Sequence, residues 1–72
     1  MKTILREMRA ARGMTQQQLA DAVGVSSRTI ISIEKGQYNP SLMLAYRMAR
    51  VFDVSVEELC CLEENMRVED ER

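Results

Sequence analysis

Hydrophobic positions recur along this chain at helical spacing, and hardly anywhere with the alternation of a half-buried strand. Ile4, Leu5, Met8 and Ala11 fall on or near one face of a predicted helix over residues 3–12, with Arg6 outward and Gly13 ending it. Thr15 opens a second helix, and Gln18 three residues on completes a capping box. Leu19, Ala20 and Val23 form its inner face, and Val25, Ile30 and Ile33 continue the pattern beyond a turn at Gly24. Ser26 caps that third helix, which the pattern carries to about Lys35. Ser41 caps a fourth helix, about residues 42–52. Its apolar positions Leu42, Leu44, Ala45, Met48, Ala49, Val51 and Phe52 span half the circumference, as suits a helix packed on several neighbours. Ser55 and Glu58 form another capping box before a short fifth helix to about Cys61, with Val56, Leu59 and Cys60 at i, i+3, i+4 spacing. The expected fold class is all-α, with five helices.

The stretch Thr15–Glu34, TQQQLADAVGVSSRTIISIE, organises the rest. It reads as two short helices joined at Gly24, where a residue without Cβ adopts positive φ at little cost. Such a helix-turn-helix points to sequence-specific DNA binding. At 100° per residue, Ile30 and Ile33 turn inward, Thr29 and Glu34 stand at the flanks, and Arg28, Ile31, Ser32 and Lys35 share the outward face. Ser26 and Ser27 lie at the N-terminal tip, the end this motif directs into the major groove. Arg28 suits a forked contact to guanine O6 and N7, or a phosphate, and the sequence does not choose between them. Ile31 is either an ordinary exposed apolar residue or a reader of a thymine methyl. Ser27 and Ser32 specify weakly, and Lys35 suits a backbone phosphate. Gln16 and Gln17 stand at the positive end of the second helix, a natural place for phosphate.

Four stretches, LREMRAARGMTQQQLA, VGVSSRTIISIEKGQYNP, PSLMLAYRMARVF and VSVEELC, follow one another in an order and spacing that resembles the lambda repressor/Cro-type, or XRE, helix-turn-helix family over about residues 3–62. The resemblance implies a lambda-repressor-like DNA-binding domain over residues 1–62, closed by a dimerisation helix. It also implies an ion pair between Arg9 and Glu34, a double role for Gln16 in holding phosphate and bracing the third helix, and a loop Gln37-Tyr38-Asn39 riding on the DNA backbone. The dimer contact of related repressors falls here on Val54, Val56, Cys60, Cys61 and Leu62. Cys60 departs from the large side chain the family commonly places there. The implied partners are double-stranded DNA and a second copy of the chain.

Composition refines this picture. The net charge of −1 hides an asymmetry: residues 1–50 hold eight Lys/Arg against three acids, and residues 51–72 hold two Arg against eight acids. Screening over about 8 Å makes a phosphate sense the near basic face rather than the distant acids. Residues 63–72 form an acidic tail, expected to be frayed, with extension of the last helix or bracing of a dimer as alternatives. There is no His, and the only two cysteines are adjacent, which falls short of a zinc set. Both are expected to be reduced small hydrophobes, with a thiol redox sensor as the sharper alternative. With no nucleophile–base pair, Gly-rich phosphate loop or paired-carboxylate pocket, neither enzyme chemistry nor a cofactor or metal is expected. No apolar run approaches a membrane span, so a cytoplasmic location is the default. The competing class is a protein-binding module on the same scaffold, such as an antitoxin, though a ten-residue acidic tail makes a poor partner-clasping segment.

Overall fold

The computed structural model describes residues 1–71 and is helical, with no strand among the described residues. Six helices follow in order: α1 Leu5–Ala11, α2 Gln16–Val23, α3 Ser27–Glu34, α4 Leu42–Phe52, α5 Val56–Leu59 and α6 Leu62–Asp70. The count exceeds the expected five because residues 62–70 fold into a helix of their own.

Four of the helix starts are written in the local chemistry. Thr15, Ser26, Ser41 and Ser55 each accept a backbone N–H three residues on, and the Thr15–Gln18 and Ser55–Glu58 boxes are both closed. Each such cap is worth about 1 kcal/mol to its helix. The first helix begins later than its periodicity suggests. The Ile4 N–H donates to the Leu59 carbonyl at 3.0 Å, which pins the leading residues against α5. α5 stops earlier than expected, because Cys61 takes a left-handed conformation (φ 47°, ψ 48°) that breaks the helix before Leu62 restarts it.

The core gathers Leu5 from α1, Leu19, Ala20 and Val23 from α2, and Ile30 and Ile33 from α3 around α4, which supplies Leu44, Ala45, Met48, Ala49 and Phe52. Leu59 and Cys60 close its floor. Burying each large aliphatic side chain contributes about 1.5–3 kcal/mol, so these few residues dominate the stability of a small domain. Two positions on predicted inner faces lie outside. Ala11 is exposed at the end of α1, and Leu42, in the first turn of α4, is 76 % exposed. No side chain of α6 is fully buried. Among the described residues, no helix is long and apolar enough to cross a membrane.

Candidate nucleic-acid interface

Gly24, at φ 77°, turns the chain between α2 and α3, and the Gly24 and Val25 N–H groups both return to the Ala20 carbonyl at 2.9 and 3.1 Å. Ala20 is fully buried, and its methyl lets the two helices meet closely. The inner face of α3 is then consumed by Ile30 and Ile33, at 0 and 1 % exposure. What remains faces away from the core. Arg28 and Lys35 are exposed, while Ser27, Ile31 and Ser32 are half-buried. Among the described residues, neither Arg28 nor Lys35 has an ion-pair partner. The Ser26 hydroxyl is occupied as the cap, accepting the Thr29 N–H at 3.3 Å.

One buried carboxylate fixes how α3 is held. Glu34 is 1 % exposed at its side chain, and it accepts from Arg9 Nε at 2.7 Å and Arg9 Nη2 at 3.2 Å. Gln16 Nε2 donates to Glu34 Oε1 at 3.1 Å, and Arg6 Nε approaches the same oxygen at 3.8 Å. Arg9 also donates to the Met14 carbonyl at 2.7 Å, which ties in the turn before α2. Burial pushes the Glu34 carboxyl up, but the Arg9 hydrogen bonds, the Gln16 amide and the nearby arginine charges outweigh it and hold it below the ordinary value. α1, α2 and α3 are thereby locked around one ionised group. A paired buried charge of this kind fixes geometry more than it adds net stability.

Gln17 is exposed, with its amide turned to Asp21 at 2.8 Å along α2. After α3, Gly36 at φ 76° closes the helix, and the Gln37 N–H returns to the Ser32 carbonyl at 2.9 Å. Gln37, Tyr38 and Asn39 follow as an exposed loop.

Around α5, Val54, Val56 and Cys61 are half-buried and Leu62 is exposed. Cys60 does not lie on that surface. It is 1 % exposed and packs into the core under α4. Both cysteines are free thiols, and burial raises the Cys60 pKa, with Cys61 adding to it. Among the described residues no group of three or more His, Cys, Asp or Glu is placed to share a metal ion.

Sequence reasoning missed three side chains that hold this arrangement. Arg12 donates to the Val51 and Phe52 carbonyls, Arg6 adds its charge beside Glu34, and Asn65 ties α6 to Lys2. Their partners lie far along the chain, so local pattern carries no trace of them. The α6 helix itself had a local sign, since Glu63 and Arg67 stand four apart and pair at 2.8 Å.

A helix-turn-helix family model matches residues 5–59. An uncharacterized HTH-type transcriptional regulator of Archaeoglobus fulgidus is 58 % identical over 59 residues, covering 82 % of this chain and 84 % of that protein. One from Methanothermobacter thermautotrophicus is 47 % identical, covering 90 % of this chain and 96 % of its own length. Among solved structures, the restriction-modification controller protein C.AhdI from Aeromonas hydrophila matches with a TM-score of 0.69 and 35 % identity, over 75 % of this chain and 82 % of that one. With its capped α2–turn–α3 unit, its uncovered α3 face and these matches, the chain belongs to the XRE-type, lambda-repressor-like helix-turn-helix family of DNA-binding transcriptional regulators.

Proposed function

We propose that this regulator is a repressor that binds an operator of imperfect two-fold symmetry as a homodimer, with α3 of each subunit in successive major grooves about 34 Å apart. The observation that carries the reading is the α3 ridge of Ser27, Arg28, Ile31, Ser32 and Lys35, which the fold leaves outside its core while Glu34 clamps the helix from behind. Arg28 and Ile31 supply the two contacts that discriminate most, a donor fork for guanine and a methyl contact for thymine. Gln16 and Gln17 at the start of α2, with Gln37, Tyr38 and Asn39 beyond α3, meet phosphates on either side and set the register. Occupancy of a promoter by such a dimer blocks transcription.

The second copy docks through Val54, Val56, Cys61 and Leu62, which leaves Cys60 beneath as packing. A closed two-fold contact of this kind would reproduce itself in the half-site arrangement of the DNA. Selection of bound sequences from random DNA, followed by footprinting, tests the reading. A palindromic consensus protected over two half-sites is expected. A stoichiometric protein partner with no retained DNA would overturn it.

A further inference from the structure

We propose that Asn65 is a positioning residue for DNA binding, acting through the first residues of the chain on the turn that ends α3. The inference rests on the reading above, in which the Gln37–Asn39 loop meets phosphate.

No α6 side chain is fully buried, and polar contacts tie the helix to the first residues of the chain. The Asn65 side chain pairs with Lys2 as one strand pairs with another. Its Oδ1 accepts the Lys2 N–H at 3.0 Å, and its Nδ2 donates to the Lys2 carbonyl at 2.9 Å. The same Nδ2 faces the Cys60 carbonyl at 2.7 Å, at the break between α5 and α6, and the Cys61 carbonyl at 3.1 Å, which also accepts the Asn65 N–H at 2.9 Å. One amide thus anchors the leading segment to the point where α6 begins. Next to it, Lys2 Nζ pairs with Glu64 at 3.2 Å, but both side chains are more than half exposed. A surface pair of this kind holds little.

The segment so anchored lies on the end of the reading helix. A Cβ built at Gly36 would stand 3.3 Å from the Met1 carbonyl oxygen, so the backbone at Met1 rests on the turn itself. That turn aims the following amides, since Gly36 donates to the Ile33 carbonyl and Gln37 to that of Ser32. Lys2, Asn39, Glu64 and Asn65 line one cleft, which places the anchor beside the loop it steadies. Released from Asn65, the segment no longer braces the turn. The loop must then be ordered at the moment of binding, with a loss that is the same for every DNA sequence, because phosphates and not bases are its targets.

The test compares Asn65→Ala with the wild-type chain on the selected operator and on scrambled DNA, at a temperature where both are folded. The expected result is a loss of affinity of about tenfold on both DNAs, the effect of ordering roughly one residue's backbone, with the selected consensus unchanged. Amide exchange should quicken at Gly36 and Gln37, whose N–H groups the turn holds, but not at Ile30, a split that general loosening of the fold would not give. Lys2→Ala, which keeps both backbone groups that Asn65 engages, should bind like wild type. Asn65→Asp, which loses the amide donors, replaces the alanine variant if that one fails to fold. Wild-type affinity and exchange in the Asn65 variant, or an altered consensus, would overturn the proposal. A wild-type chain that selects no sequence would instead sink the operator reading, and exchange at Gln37 would still report the brace by itself.

Discussion

The guanidinium of Arg12 lies over the ring of Phe52, 5.8 Å from its centroid, and donates to the Phe52 carbonyl at 3.2 Å and that of Val51 at 3.3 Å. The end of α1 therefore caps the end of α4, where carbonyls lack helical partners and a cation is favoured. Arg12→Ala should lower unfolding free energy by about 1 kcal/mol, below the usual worth of charged hydrogen bonds because the group is exposed. Arg12→Lys should recover only part of this, since it lacks the planar fork. Urea titration of the three chains checks both values.

Arg9 and Glu34 are unequal partners. Arg9 keeps 16 % side-chain exposure and Glu34 only 1 %. Arg9→Ala strands a buried charge and should cost about 3–5 kcal/mol, a large share of a small domain's stability, whereas Glu34→Gln should cost less. Denaturant midpoints that rank the two variants in the opposite order would refute this asymmetry.

Acid should act through the same carboxylate. Its folded pKa lies below the ordinary 4.5, so its contribution is fully present above that value and is lost as pH falls through the folded pKa. The stability gap between wild type and Glu34→Gln should therefore narrow steadily on going from about pH 6 to about pH 3. Thermal melts across that range measure it. A gap independent of pH would mean that Glu34 is not the group responsible.

The two thiols should differ sharply despite being neighbours. Cys60 is buried and its pKa raised, while Cys61 is half-buried at the α5–α6 break. A thiol reagent applied to the native protein should label Cys61 first and reach Cys60 only as the domain opens. Mass mapping of the first labelled site decides the matter.

On DNA, Arg28→Ala should relax base preference at one position of each half-site, by about 1–3 kcal/mol of discrimination. Gln16→Ala should weaken all sequences about equally, as loss of a phosphate contact does. Binding selections with each variant check this. An unchanged consensus would remove Arg28 from the set of readers.

The four capped helix starts and the α2–α3 unit could be read directly, because each depends on residues within a few positions of one another. Thr15 and Gln18 are three apart and meet wherever that helix forms. The outward side of α3 followed from the same local arithmetic, once Ile30 and Ile33 had claimed its inner side. Composition also separated a basic first part from an acidic second part.

Tertiary structure decided the rest. Ile4 donates to Leu59 and delays α1, Arg12 finds α4 forty residues away, and Asn65 reaches back to Lys2 across sixty-three. Cys60 looked like one member of a surface set, yet it is buried in the floor of the core. The acidic end became α6 with Asn65 at the break, its side chain donating to the Cys60 carbonyl and its N–H to that of Cys61. Propensity acts between neighbours in sequence. Burial and hydrogen-bond satisfaction act between neighbours in space, and only folding determines who those are.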